Sequence, residues 1–281
     1  GIYAAGFYET FPNIPITFMS SWYDVYVPTT LENFTALKKN SEHPISLIMG
    51  PWTHGNRSSR IFGDVDFGEE AVFDGQVDTD WLTYRDKWFA RYLHADKKDG
   101  SSGRVHLFLM GTGTGCKTAE GHLDHGGHWI ESSDWPLPNA RPFDLYLYSD
   151  RSLQTAAPPP NEAAISYDFD PSNPVPTIGG ALTSGEPIFT GGGFNQVESE
   201  EFFGCTQPGL PLTARQDVLS FQTEPLEEDL AIVGPVEIEL WASTTAPDTV
   251  STATLVDVYP PSADYPRGYA LNITEGIFRV R

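Results

Sequence analysis

Asp24 and His54 are the residues whose types and placement point most directly to chemistry. Each follows a short apolar run. Pro15-Ile16-Thr17-Phe18-Met19 leads into Ser20-Ser21-Trp22-Tyr23-Asp24, and Ile45-Ser46-Leu47-Ile48-Met49 leads into Gly50-Pro51-Trp52-Thr53-His54. A carboxylate set against an imidazole fixes which ring nitrogen carries the proton, and it stabilises the imidazolium when the ring takes a second one. Such a pair is the orienting half of a catalytic triad. A strand-end Asp is also an ordinary turn residue, and a strand-end His an ordinary loop residue, so the pair gains meaning only from the elements that carry it.

Both apolar runs read as buried strands. Between them, residues 30–39 place Leu31, Phe34 and Leu37 at a spacing of three, the apolar stripe of an amphipathic helix. Strand, helix, strand predicts a βαβ unit with parallel strands. Loops beyond the carboxyl ends of neighbouring parallel strands converge, which brings Asp24 and His54 within reach of each other.

Residues 80–94 predict a second helix packed on the sheet, with Trp81, Leu82, Trp88, Phe89 and Tyr92 on a wide apolar face. Residues 104–110 predict a further strand, and the glycine-rich residues 111–128 a long loop. From Arg141 onward the pattern changes to short alternating runs at 143–148, 236–241 and 253–258, the signature of half-buried antiparallel strands. Pro158-Pro159-Pro160 and the stretch 170–180 carry the turn residues that connect them. The expected architecture is an α/β portion over residues 1–135, then an all-β jelly-roll or β-sandwich domain over 136–281, with the boundary near 133–142.

A net charge of −21, from 38 acidic against 17 basic residues, repels phosphate backbones and anionic membrane surfaces, so neither nucleic acid nor membrane is expected as a partner. Cys116 and Cys205 are far apart and form no CxxC pair, which argues against a disulfide framework or a zinc site. His122, His125 and His128 stand at a spacing of three around Asp124, but a glycine-rich loop makes a poor preorganised cage, and no metal or cofactor is expected. Asp64 and Asp66 read as a solvated turn rather than a calcium site. Asn33, Asn56 and Asn272 fit the glycosylation sequon, although a glycan on Asn56 would crowd His54.

Ser21-Trp22-Tyr23-Asp24, Gly50-Pro51-Trp52-Thr53-His54-Gly55 and Gly63-Asp64-Val65-Asp66-Phe67-Gly68, in this order and spacing, resemble the X-prolyl dipeptidyl peptidase and cocaine esterase family of serine α/β-hydrolases. Further matches occur at His125-Gly126-Gly127-His128-Trp129, at 170–180, at Asp217-Val218-Leu219 and at Gly276-Ile277-Phe278-Arg279, so the resemblance covers nearly all of the chain. It implies an α/β-hydrolase domain, a helical cap and a carboxyl-terminal jelly roll, and cleavage of amide or ester bonds in small-molecule or peptide substrates. It also makes Asp24 the triad acid and His54 the general base.

In α/β-hydrolases the triad runs Ser, then Asp or Glu, then His, with the serine in a Gly-x-Ser-x-Gly elbow. Residues 1–281 contain no such elbow. The expectation is therefore the carboxyl-terminal part of a catalytic domain plus most of the jelly roll, inactive by itself, with the nucleophile and oxyanion donors elsewhere. Trp22, Tyr23 and Trp52 flank the two positions and either line a pocket for an apolar acyl or prolyl group or anchor the loops as core aromatics. Two other readings are a non-catalytic binding module in the β-rich half and an inactive homologue that keeps the fold.

Overall fold

The computed structural model describes residues 4–93, 103–182 and 189–280. Strand β1 (Ile16–Tyr23), helix α1 (Val27–Asn40) and strand β2 (Ile45–Thr53) form the predicted strand–helix–strand unit. β1 and β2 are parallel, paired from Ile16 opposite Ile45 to Ser21 opposite Gly50, with a register shift before Tyr23 opposite Thr53. Short strands β3 (Ile61–Phe62) and β4 (Val65–Asp66) follow, then helix α2 (Trp81–Leu93) and strand β5 (Val105–Met110). Next come β6 (Leu123–Asp124) and β7 (Gly127–Ser132). The main sheet is four-stranded in the order β1-β2-β5-β7, with β5 parallel to β2 and β7 antiparallel to β5. β3, β4 and β6 make a separate three-stranded sheet.

Alternation along β2 explains why both of its faces are covered, as in a central parallel strand. Ile45, Leu47 and Met49 enter one apolar cluster with Phe34 of α1, Val105 and Leu107 of β5, and Trp135. Ile48 and Trp52 enter another with Tyr23, Phe62, Val65, Phe67, Phe73, Phe108 and Leu123. Of the predicted helical stripe, Phe34 is fully buried and Leu31 packs beside it, so α1 covers one sheet face as its spacing requires.

α2 departs from expectation in part. Among the described residues its amino end packs on the core, where Trp81 and Tyr84 meet Phe73, while Leu82, Phe89 and Leu93 are exposed. The predicted end of this helix at His94 lies outside the described residues. The long loop read over 111–128 also shortens, because β6 takes Leu123 and Asp124 and β7 begins at Gly127.

Beyond residue 136 the described residues carry two antiparallel hairpins: β8 (Tyr146–Leu147) with β9 (Leu153–Gln154), and β10 (Thr249–Tyr259) with β11 (Tyr269–Val280). The alternating run at 253–258 lies inside β10 as predicted, and that at 143–148 narrows to β8. Residues 236–241 form no strand; Val236, Ile238 and Leu240 are all exposed and Trp241 almost completely so. Alternation sets which way side chains face, but a strand also needs a neighbour to take its backbone hydrogen bonds, and these residues have none in a ladder.

The hairpin β10–β11 is not separate from the first half. Tyr269 and Leu271 complete the apolar cluster built around Tyr23, Trp52 and Phe67, and Leu271 is fully buried there. One continuous core therefore joins residues on both sides of the predicted 135/136 boundary.

Candidate acid–base site

Asp24 is the first residue after β1 and His54 the first after β2. Because the strands are parallel with Tyr23 opposite Thr53, the two residues leave the same sheet edge side by side. Asp24 turns at once into α1: its amide donates to Ser21 O (3.0 Å) and its carbonyl accepts from Val27 N (3.0 Å). His54 leaves β2 through a turn that requires Gly55 at φ +78°, a conformation glycine adopts without steric cost.

His54 Nδ1 lies 2.9 Å from Asp24 Oδ2. The other carboxylate oxygen, Oδ1, accepts the Tyr26 amide at 2.9 Å. Asp24 is 5% exposed, so both oxygens are held in a site largely closed to water, and the amino end of α1 favours negative charge there. An ionised carboxylate only accepts hydrogen bonds, so Nδ1 is the donor and the imidazole is held with Nε2 as its free basic nitrogen. The His54 side chain is 54% exposed, which leaves that ring open to a reacting group. The Tyr26 ring meets the imidazole edge-on with centroids 5.3 Å apart, so one residue restrains Asp24 through its amide and His54 through its ring.

Of the three flanking aromatics, Tyr23 and Trp52 are core anchors and Trp22 is half-buried. Tyr23 and Trp52 are 1% and 2% exposed, and their polar atoms bond inward, Tyr23 Oη to Asn272 O at 2.9 Å and Trp52 Nε1 to Ala71 O at 2.6 Å. Trp22 Nε1 donates to Phe108 O at 2.7 Å while its ring packs on Trp135. With Tyr23 and Trp52 sealed in this way, neither offers surface to an acyl group. What they do is fix the backbone on either side of the acid–base pair. Sequence reading missed Tyr26, whose only signal was its place two residues after Asp24.

The remaining candidates separate from this site. His125 is buried, its Nδ1 shares a 2.5 Å hydrogen bond with Tyr259 Oη, and burial pulls its pKa down to about 4. It is a neutral structural side chain, and no group of three or more His, Cys, Asp or Glu among the described residues is placed to hold a metal ion. Asp66 is also buried, contrary to the solvated turn expected: its Oδ1 accepts Gly68 N at 2.8 Å, and Arg60 lies 3.4 Å from Oδ2. Of the sequon asparagines, Asn272 is 4% exposed with both amide atoms bonded internally. Asn33 accepts the Tyr8 hydroxyl, and Asn56 is exposed.

A strand-end carboxylate against the Nδ1 of an exposed histidine is an arrangement that can orient an imidazole for proton transfer. Residues 99–281 match the family described as the X-Pro dipeptidyl-peptidase C-terminal non-catalytic domain, and the chain belongs to the X-Pro dipeptidyl peptidase and cocaine esterase family. It is 31% identical over 277 residues to the cocaine esterase of Rhodococcus sp. (strain MB1 Bresler), covering 95% of this chain and 41% of that protein. It is 27% identical over 271 residues to a Mycobacterium bovis protein and a Mycobacterium tuberculosis protein, each with "serine esterase" in its name. Those alignments cover 93% of this chain and 34% of each relative. The chain thus spans well under half the length of these relatives.

Proposed function

We propose that residues 1–281 carry the acid, Asp24, and the general base, His54, of a Ser-Asp-His triad in a serine hydrolase that cleaves ester or amide bonds of small acyl or X-Pro substrates. The observation that carries this reading is the 2.9 Å Nδ1–Oδ2 contact between a buried carboxylate and a half-exposed imidazole at one sheet edge. The order Asp then His along the chain and the esterase names of the relatives support it. This reading requires a serine from outside residues 1–281, which hold no Gly-x-Ser-x-Gly elbow. On this reading residues 1–135 are the carboxyl-terminal part of an α/β-hydrolase domain, and residues 136–281 belong to a jelly-roll domain.

In the reaction, His54 Nε2 takes the proton of the serine hydroxyl as that oxygen attacks the acyl carbon, then returns it to the leaving alcohol or amine. Asp24 holds the Nδ1–H tautomer and stabilises the imidazolium while the ring carries the second proton. The Tyr26 amide on Oδ1 keeps the carboxylate from rotating away.

The test is hydrolysis of a p-nitrophenyl acyl ester and an X-Pro anilide by the polypeptide extended to include its nucleophile segment, beside the same protein carrying His54→Ala. Activity that is present in the parent and lost in His54→Ala supports the triad. Equal activity in both refutes the role of His54, and no activity in either favours the binding-module or inactive-homologue reading.

A further inference from the structure

We propose that Tyr23 is a positioning residue of the Asp24–His54 pair and that β11, through the Asn272 carbonyl, holds it in place; this rests on the acid–base reading above. Tyr23 is the last residue of β1 and adjoins Asp24. The β1–β2 register shifts between Ser21 and Tyr23, so the regular ladder does not run unbroken to the end of the strand. Side-chain anchors take over at that point, Trp22 to Phe108 O and Tyr23 to Asn272 O.

The Tyr23 anchor is tightly built. The phenol is 1% exposed, its ring lies 5.9 Å from that of Phe67, and burial raises its pKa so that it stays a neutral donor. Asn272 sits in β11 beside another register shift, between Leu255 and Val256 of β10. Its side chain is pinned at both atoms, Oδ1 accepting from Phe194 N at 2.7 Å and Nδ2 donating to Gly192 O at 3.2 Å. That stretch is stitched in turn to β3 and the turn after it, through Gly193 N to Phe62 O at 3.2 Å and Asp64 N to Gly193 O at 2.9 Å. A Cβ on Gly193 would stand 3.1 Å from Tyr23 Oη and 2.8 Å from Leu271 Cδ1, so the backbone there closes the slot in which the hydroxyl lies.

The consequence concerns the segment matched to a family described as non-catalytic. Through a contact spanning 249 residues of sequence, β11 fixes the residue from which the acid departs. It contributes no group to the reaction and governs how well Asp24 faces His54.

The experiment reads the His54 ring by nitrogen NMR in the labelled 281-residue chain, which reports the Nδ1–H tautomer and the exchange of that proton with water. Tyr23→Phe keeps the ring and removes the hydroxyl. The expected result is a roughly five-fold loss of the Nδ1–H tautomer's excess and similarly faster exchange, the effect of about one net hydrogen bond. Gly193→Ala, which crowds the hydroxyl from the opposite side, shifts His54 in the same direction and serves if Tyr23→Phe does not fold. Tyr259→Phe removes a different hydrogen bond of the hairpin, to His125, and lowers the unfolding temperature with the His54 spectrum unchanged.

Unaltered His54 spectra in both Tyr23→Phe and Gly193→Ala, beside a clear change in Asp24→Asn, overturn the positioning role and leave the acid–base pair standing. An unaltered spectrum in Asp24→Asn overturns the pair itself. A Tyr259→Phe change as large as that of Tyr23→Phe shows a general loosening of the hairpin and also overturns the proposal.

Discussion

Replacing Asp24 by Asn exchanges one carboxylate oxygen for an NH2 group, and the surroundings decide which. The Tyr26 amide must keep an acceptor, because an unsatisfied buried donor costs about 1–3 kcal/mol. The surviving oxygen therefore stays on Tyr26 N, where Oδ1 now lies at 2.9 Å. The new NH2 then faces His54 Nδ1, where Oδ2 stands at 2.9 Å, and two donors cannot meet. The imidazole responds by moving its proton to Nε2, which turns the free nitrogen from a base into a donor.

In a triad, that wrong tautomer lowers kcat by about 10⁴, or about 5.4 kcal/mol at 1.36 kcal/mol per decade. Substrate binding is little changed, because Asp24 is buried and touches none of it. The assay is steady-state hydrolysis of a p-nitrophenyl ester by the polypeptide that includes the nucleophile segment, together with nitrogen NMR of His54 in the 281-residue chain. A kcat within ten-fold of the parent, with the Nδ1–H tautomer retained, would refute the reasoning.

Other outcomes follow from the same contacts. Leu271→Ala opens the core that supports both loops and is expected to cost about 2–5 kcal/mol in denaturant unfolding, since Leu271 is fully buried. A Cβ on Gly103 would fall 1.8 Å from Ile45 O, a backbone atom that cannot swing aside, so Gly103→Ala should destabilise by at least about 1–3 kcal/mol in the same measurement. His125 has a folded-state pKa near 4, below its unfolded value of about 6.5, so the unfolded chain takes up the proton first as pH falls. Its contribution to stability is complete above about pH 6.5 and declines to pH 4 by on the order of 3 kcal/mol; His125→Asn should flatten that part of the stability profile.

The two loops that carry the site were legible because Asp24 and His54 each follow an apolar run, and a short run bounded by turn residues is consistent with a buried strand. The helix between them was legible from Leu31, Phe34 and Leu37. The run at 236–241 has the same local quality and forms no strand, since local pattern does not supply a neighbouring backbone. The spacing of His122, His125 and His128 did not reveal what His125 does: Gly126 and Gly127 turn the chain at φ +64° and +151°, and His125 spends its Nδ1 on Tyr259. That partner is 134 residues away and left no mark near the histidines.

What the sequence determined by itself, then, was the chemistry available: a carboxylate and an imidazole at the ends of two strands, an amphipathic helix between them, and motifs that resemble a hydrolase family. Tertiary structure alone decided the pairing of Asp24 Oδ2 with His54 Nδ1, the role of the Tyr26 amide, and the burial of Tyr23 and Trp52 as anchors. It also decided that β11 would close the core around them. The physical reason is range. Strand and helix patterns arise from contacts a few residues apart, whereas the grip on Tyr23 comes from a residue 249 positions away, and only the packed chain brings the two together.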